Sequence, residues 1–256
     1  MEIFFRVMAF AAIAIFGIGV FYRISLWNQT PIPHRQTLYP APTTKAEANF
    51  KIAKELALFQ TLFENDKPLW VGSWIFHVGL AGAIFGHFVG IPTLGEQFAI
   101  VPGISVELSK QLSSILGTAA GLMLLYGLVH LLIRRSTVRE VKIISDPMDF
   151  FDLFLLLGIV GTGNLMRFLT PIEYIEAKNF VIDIFTFSPI AIPSNTTFLI
   201  HFTLVMVLLM YFPFSKLMHF LGSIYTRAIS TRPGTGTYQT DQVRLNSVDQ
   251  KVNRGV

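Results

Sequence analysis

Four histidines lie inside long apolar runs of this sequence, where an ionisable side chain is costly and is functional by default. His77 and His87 are ten residues apart in "FHVGLAGAIFGHF", and His201 and His219 are eighteen apart in "HFTLVMVLLMYFPFSKLMH". Two neutral imidazoles that face each other across a porphyrin are one arrangement that holds a haem iron. The pattern therefore predicts two histidine pairs, each binding one haem.

The elements that position these histidines are membrane-spanning helices. About 20 apolar residues cross the hydrocarbon core of a bilayer. Five segments of the chain satisfy this length: residues 3–27, 70–91, 112–133, 150–169 and 196–219. The composition agrees, because 52% of the residues are hydrophobic and only 14% are charged. Backbone groups in lipid must be satisfied internally, so we predict an all-α bundle of five transmembrane helices.

The pairing of the histidines follows from the direction of these helices. The second and fifth segments run antiparallel, which places His77 at the depth of His219 and His87 at the depth of His201. Ten helical residues rise about 15 Å and eighteen rise about 27 Å, so helix tilt and a kink at Pro213 have to absorb the difference. Eighteen residues make five turns, which predicts that His201 and His219 share one face of a single kinked helix.

Small residues follow the second segment in the same register. Gly79, Gly82, Gly86 and Gly90 recur at spacings of three, four and four residues. Such a stripe clears one helix face so that a porphyrin can approach the backbone. Close packing of two helices in lipid is an equally good explanation of the same stripe.

The residue inventory limits the chemistry that this chain can perform. There is no cysteine, which excludes iron–sulfur clusters ligated by this chain and covalent CxxCH haem attachment. The competing hypothesis is a haem-free protein, either a histidine-dependent transporter or an anchor. A transporter would show intramembrane carboxylates and an inverted repeat. Only Asp149 and Asp152 stand at the edge of a span, and the sequence contains no repeat.

Basic residues predict the orientation of the chain. Of the 20 lysines and arginines, 16 lie in the loops and the tail on one side of the membrane. The other side holds only Arg6, Lys110, Arg167 and Lys178. The positive-inside rule therefore predicts an N-terminus outside and a C-terminus in the cytoplasm. The net charge of +4 reflects this bias, so we do not predict nucleic-acid binding.

The cytoplasmic segments contain further residues that need an explanation. Arg134, Arg135 and Arg139 either pair with haem propionates or belong to the general positive bias, and we favour the second interpretation. His130, near the cytoplasmic end of the third segment, has no assigned role. His34 lies in the proline-rich stretch "NQTPIPHRQTLYPAPTT" and has none either.

The long loop at residues 28–69 also predicts an amphipathic helix. Its apolar face consists of Phe50, Ala53, Leu56, Ala57, Phe59 and Phe63. This helix would lie on the membrane, under a partner subunit or on its own bundle. We thus predict a membrane domain at residues 1–230, followed by a polar cytoplasmic tail at residues 231–256 that a partner would order.

Two stretches carry a family resemblance. "FHVGLAGAIFGHFVG" and "LIHFTLVMVLLMYFPFSKLMH" resemble the gamma subunit of respiratory nitrate reductase and its relatives, which are five-helix, di-haem b membrane anchors. The similarity covers residues 70 to 230 and includes both histidine spacings. It implies that His77 and His219 ligate a cytoplasmic-side haem b. It likewise implies that His87 and His201 ligate a second haem b near the outer face.

The same resemblance implies a quinone site beside the outer haem. Quinol or menaquinol would be the exchangeable substrate, and Gly86 and Lys110 would belong to its pocket. The alternative for Lys110 is an interfacial lysine whose ammonium reaches the membrane surface. No terminal catalytic site is expected in this chain. It would be an electron-transfer subunit of an oxidoreductase complex in the prokaryotic cytoplasmic membrane.

The N-terminal part resembles one branch of this family more closely. "YPAPTT" and "ELALFQTLFENDKPLWVGSWIFH" are similar to DsrM, the membrane cytochrome of sulfite-reduction-associated complexes. This branch implies a cytoplasmic iron–sulfur partner like heterodisulfide reductase, together with further membrane and extracytoplasmic subunits. The gamma subunit of nitrate reductase is the nearest alternative.

Overall fold

The computed structural model describes residues 1–30 and 41–233, and this part of the chain is helical without any strand. The stretch around His34 and most of the polar tail lie outside the described residues. The helices are α1 (Glu2–Gln29), α2 (Lys45–Leu58), α3 (Gln60–Asn65), α4 (Lys67–Phe85), α5 (Val106–Thr137), α6 (Arg139–Ile143), α7 (Pro147–Phe168), α8 (Tyr174–Thr186), α9 (Thr196–Tyr211) and α10 (His219–Ser230).

The five predicted spans are confirmed as helices long and apolar enough to cross a membrane. They comprise Glu2–Gln29, Lys67–Gly90, Val106–Thr137, Pro147–Phe168 and Thr196–Phe214. Most begin earlier than hydropathy alone predicts, because polar capping residues set their starts. Asp66, Ser105, Asp146 and Asn195 each accept a hydrogen bond from a backbone N–H of the first helical turn.

Two clusters of buried side chains hold the spans together. The first joins α1, α8 and α9 and includes four phenylalanines, with the rings of Phe180 and Phe202 meeting edge to face at a centroid distance of 5.1 Å. The second joins α4, α5 and α7 around Leu128, which is fully buried. Burial of such aromatic and aliphatic side chains provides the close packing that helices in lipid need.

Helix α8 has no counterpart among the predicted elements. It connects the fourth and fifth spans and buries Ala177, Phe180 and Ile184, which are spaced three and four residues apart on one face. That spacing is the signal of an amphipathic helix, and at 13 residues it is too short to appear as a span.

The fifth span breaks before it reaches His219. The α-helix ends at Tyr211, and two short 3₁₀ turns follow at Phe212–Phe214 and Lys216–Met218. The prediction of one kinked helix over residues 196–219 is therefore wrong, and His201 and His219 do not share a face of one helix. The physical reason is Pro213, which has no N–H to continue the helical ladder.

The segment after the break is held by packing and capping. A Cβ placed on Gly19 of α1 would lie 2.6 Å from the Cβ of Pro213, so only glycine lets the proline approach this closely. The hydroxyl of Ser215 then accepts a hydrogen bond from the Leu217 N–H at 3.1 Å. The break is thus a defined turn of the chain.

The chain divides into two units. The first comprises Met1–Gln29 and Leu62–Met218 and holds the five spans. The described residues of the second unit lie mainly in α2 and α10, and His219 is its first residue after the break. Within it, the Arg227 guanidinium pairs with the Glu55 carboxylate at 2.9 Å. A helix forms where the sequence predicts the amphipathic one, but it ends at Leu58, because Phe59 adopts a left-handed conformation with φ of 50°. What its apolar face contacts stays a prediction.

Candidate functional site

The fold brings together His87 and His201, the predicted outer pair. His87 follows α4, and His201 lies in the second turn of α9. The centroids of the two imidazole rings are 6.2 Å apart, and the ring planes differ by 15°. Two side chains 114 positions apart in sequence therefore lie close together with nearly parallel ring planes, as their predicted common depth requires.

Hydrogen bonds define which nitrogen each ring presents. The Nδ1 of His87 lies 2.7 Å from the Ala83 carbonyl oxygen, and the Nδ1 of His201 lies 3.0 Å from the Ile159 carbonyl oxygen. A carbonyl oxygen only accepts, so Nδ1 must carry the proton and Nε2 keeps its lone pair. Within the described residues neither Nε2 forms a hydrogen bond. This is the tautomer that metal-bound histidines adopt when a carbonyl orients them.

The spacing of this pair fits a haem iron. With metal–nitrogen bonds of about 2 Å and about 1 Å from each nitrogen to its ring centre, two axial imidazoles have centroids about 6 Å apart. The observed 6.2 Å agrees with that separation. Among the described residues no group of three or more His, Asp or Glu side chains gathers as metal ligands. A two-histidine site suits a metal whose remaining ligands come from a macrocycle.

An irregular turn carries His87. Residues Gly86–Gly90 form a single π-helical turn at the end of α4. Such turns are rare and occur frequently at functional sites, because they change the direction of a side chain without ending the helix. A Cβ placed on Gly86 would meet nothing within 4 Å, so open space lies beside the histidine. The sequence contains no clear signal for this turn.

The glycine stripe has two separate roles. A Cβ on Gly79 would lie 2.9 Å from both the Ala120 carbonyl oxygen and the Leu124 nitrogen, and one on Gly82 would lie 3.1 Å from the Ala120 Cβ. These two glycines therefore allow α4 to pack on α5, which corrects the haem-clearance interpretation for them. In this stripe, only Gly86 would place a Cβ in open space.

The two predicted inner ligands are found in different settings. His77 lies in the middle of α4, and its Nδ1 is 2.7 Å from the Ser73 carbonyl oxygen, so its ring has the same orienting bond as His87. His219 is the first residue of α10 and belongs to the second unit. The pairing of His77 with His219 on one haem stays a prediction.

An ion-pair network fixes the chain just before His219. The Lys216 ammonium contacts the Asp146 carboxylate at 2.5 Å and the Asp149 carboxylate at 2.7 Å. Arg135 reaches the other oxygen of Asp149 at 2.8 Å, and that carboxylate is almost fully buried. The hydrogen bond from Lys216 lowers the pKa of Asp146, and the same bond raises the pKa of Lys216. Asp149 stands out in the sequence at the edge of a span, but no local pattern indicates these partners.

Other basic residues and His130 have structural partners. Arg134 pairs with Asp66 at 2.6 Å, and Arg135 is engaged by Asp149, so both arginines are neutralised by carboxylates of this chain. The Nε2 of His130 lies 2.9 Å from the Pro68 carbonyl oxygen and therefore carries the proton. His130 thus ties α5 to the start of α4 and differs from His77, His87 and His201, whose Nδ1 makes the bond to a carbonyl oxygen.

Lys110 lies in the second turn of α5 and pairs with Glu96 at 3.1 Å. Both side chains remain about half exposed, at 47% and 43%. The loop that carries Glu96 is fastened to α5 by Ser109, whose hydroxyl donates to the Gly95 carbonyl oxygen at 2.8 Å. Lys110 is therefore held in a defined place near the start of α5. Its role toward a quinone stays a prediction.

Comparison with known proteins agrees with this architecture. A family model described as nitrate reductase gamma subunit matches residues 60–229. An Archaeoglobus fulgidus protein named Hdr-like menaquinol oxidoreductase cytochrome b-like subunit is 28% identical over 88% of this chain and 78% of its own length. The nitrate reductase gamma chain of Bacillus subtilis is 30% identical over 60% of this chain and 73% of its own length.

The family match spans all four histidines. The five apolar helices and the membrane-bound respiratory relatives identify a multi-pass protein of the prokaryotic cytoplasmic membrane. The gamma-subunit resemblance expected from the two histidine motifs is confirmed. The chain belongs to the nitrate reductase gamma subunit family.

Proposed function

We propose that this chain is the di-haem b membrane subunit of a menaquinol oxidoreductase complex and passes electrons from quinol to a cytoplasmic iron–sulfur subunit. The observation that carries the proposal is the outer pair, His87 and His201, whose parallel rings stand 6.2 Å apart. Similarity to the Archaeoglobus fulgidus protein, which is named as a cytochrome b-like subunit of an Hdr-like menaquinol oxidoreductase, supports the substrate and the type of complex.

His87 and His201 would hold the outer haem, and His77 and His219 would hold the cytoplasmic-side haem. When bound, haem b supplies reversible one-electron transfer at iron. The chain supplies rigid helices, neutral imidazoles oriented through Nδ1, and a low-dielectric surrounding. The matching Nδ1 bonds of His77 and His87 support a common role for both histidines of α4.

The quinone would bind beside the outer pair. Gly86 offers open space next to His87, and Lys110 presents a half-exposed ammonium at the same end of the bundle. An ammonium can donate a hydrogen bond to a quinone oxygen, and the paired Glu96 carboxylate can accept a proton released from quinol. With the N-terminus outside, as the basic residues predict, protons would leave on the outer side.

The partners follow from the proposed orientation. The cation-rich side would face the cytoplasm and an iron–sulfur subunit like heterodisulfide reductase. Further membrane and extracytoplasmic subunits would complete a complex of sulfite or sulfur metabolism. A second candidate is the gamma subunit of a nitrate reductase, which the 30% identity to the Bacillus subtilis chain supports.

Purification of the complex through a tag on this chain tests the proposal. We expect two b-type haems per chain, reduction of both by a menaquinol analogue, and co-purification of an iron–sulfur subunit like heterodisulfide reductase. A molybdenum-containing partner would instead support the nitrate reductase alternative. Fully assembled protein without any haem absorption would favour the haem-free transporter or anchor and overturn both.

A further inference from the structure

Helix α7 carries none of the four candidate ligands, yet it contacts one of them directly. The Thr162 hydroxyl oxygen lies 3.0 Å from the Nδ1 of His201. The same oxygen lies 2.7 Å from the Gly158 carbonyl oxygen and 2.9 Å from the Ile159 carbonyl oxygen. A side chain of the fourth span therefore reaches the candidate ligand on the fifth span.

Counting protons determines the direction of each bond. A threonine hydroxyl has one proton, and both neighbouring carbonyl oxygens on α7 can only accept it. The hydroxyl therefore donates within its own helix and accepts from the Nδ1–H of His201. That N–H is shared between two acceptors at equal distance, the Thr162 hydroxyl and the Ile159 carbonyl, each 3.0 Å away. The Nε2 of His201 is left as the metal-binding atom.

This arrangement differs from the other histidines that have a described Nδ1 bond. His77 and His87 each bond the carbonyl four residues earlier on their own helix. Only His201 among these three is oriented by a neighbouring helix. Gly163 also lies beside this ring, since a Cβ there would be in ordinary van der Waals contact with the Cε1 of His201, at 3.4 Å.

We propose that Thr162 is a positioning residue that sets the ring orientation and the donor strength of His201 toward the outer haem. The inference rests on the proposed function, because it requires a haem at His201. A second acceptor on Nδ1–H makes the imidazole a stronger electron donor through Nε2, and stronger donation favours the ferric form. Loss of the hydroxyl therefore raises the reduction potential of the outer haem and leaves the inner haem unchanged.

The test is a redox titration of the intact complex with matched variants. Thr162→Val removes the hydroxyl at nearly constant shape, and Thr162→Ser keeps it. Thr203→Val is the control, because the Thr203 hydroxyl lies on the same helix as His201 but bonds only the Leu199 carbonyl oxygen of that helix. We expect an upward shift of the outer haem potential and altered low-spin signals in electron paramagnetic resonance for Thr162→Val alone.

The outcomes separate this inference from the function on which it rests. Unchanged outer haem potential and signals in Thr162→Val would overturn the role of Thr162, while the wild-type haems would still support the function. Absence of an outer haem from the wild-type complex would overturn the function itself. If Thr162→Val does not assemble, Thr162→Ala is titrated in its place, and the same upward shift is expected.

Discussion

His87 and His201 lie in one structural unit with their rings already facing each other, whereas His219 starts a new helix after a break and belongs to the second unit. The proposed outer ligands, His87 and His201, are oriented by helix carbonyls and by Thr162. His219, the proposed inner ligand, follows a segment that is fixed by charge, through Lys216. The proposed outer site is thus arranged within one unit, by a helix and a π-helical turn, while the position of His219 depends on side chains around an irregular connection.

The largest expected effect comes from removing ligands. His87→Ala or His201→Ala should abolish the outer haem and quinol oxidation, because a single axial imidazole remains. His77→Ala or His219→Ala should abolish the inner haem while quinol still reduces the outer one. Difference spectra and haem content measure both. Retention of the inner haem in the His77 and His219 variants would show that the depth pairing is wrong. His130→Ala serves as the control, since its Nε2 bonds the Pro68 carbonyl.

The second prediction concerns Lys216, whose substitution should affect the inner haem and leave the outer haem in place. Lys216→Met should reduce the occupancy of the inner haem and broaden its signal, because Asp146 and Asp149 lose the ammonium that ties the segment before His219. Lys216→Arg should restore most of the occupancy. Lys142→Met is the matched control, because it removes one positive charge from a loop on the same predicted side of the membrane. Equal loss of both haems in Lys216→Met would contradict a role confined to the inner site.

Substitution of two glycines in the second span should have a smaller effect, on stability. Gly79 lies in a close helix contact, whereas Gly86 borders open space. Gly79→Ala should lower the free energy of unfolding by about 1–3 kcal/mol, because the new methyl group overpacks the contact with α5. Gly86→Ala should change stability by less than about 0.5 kcal/mol, since its Cβ meets no atom within 4 Å. Thermal unfolding of the two variants in the same detergent compares them directly. A larger loss of stability in Gly86→Ala than in Gly79→Ala would show that Gly86, and not Gly79, is the closely packed glycine.

The smallest effect is that of pH on the segment before His219. The pKa of Asp146 is lowered by Lys216, so its stabilisation is present above the ordinary aspartate pKa and is lost as pH falls through the lowered value. The pKa of Lys216 is raised, so its stabilisation is present below the ordinary lysine pKa and is lost as pH rises through the raised value. Inner haem absorbance should therefore stay constant between about pH 5 and 9 and decline first toward acid. In Lys216→Met this acid decline should be weaker.

The sequence predicts the parts of the fold that depend on hydropathy and regular spacing. Five spans and the approach of His87 to His201 follow from apolar length and from the antiparallel course of two helices. The break after Tyr211 does not follow, because a proline in a membrane helix produces either a kink or an end. Here the helix ends, and Pro213 packs against Gly19, a residue far from it in sequence.

The unpredicted parts of the site depend on contacts between distant segments. The bond from His201 to Thr162 and the ion pairs of Lys216 join residues 39 to 70 positions apart, and no local pattern indicates them. The π-helical turn at His87 likewise depends on how the chain leaves α4. By contrast, the spacing of the buried residues of α8 does predict an amphipathic helix from the sequence.

The central claim is that two histidine pairs hold two haems in one chain. Low-temperature electron paramagnetic resonance, combined with the ratio of haem to protein in the purified complex, tests this claim most directly. The account predicts two haems per chain, both low-spin with two histidine ligands, and loss of a different one in His87→Ala and His77→Ala. A single haem per chain, or loss of the same haem in both variants, would contradict it.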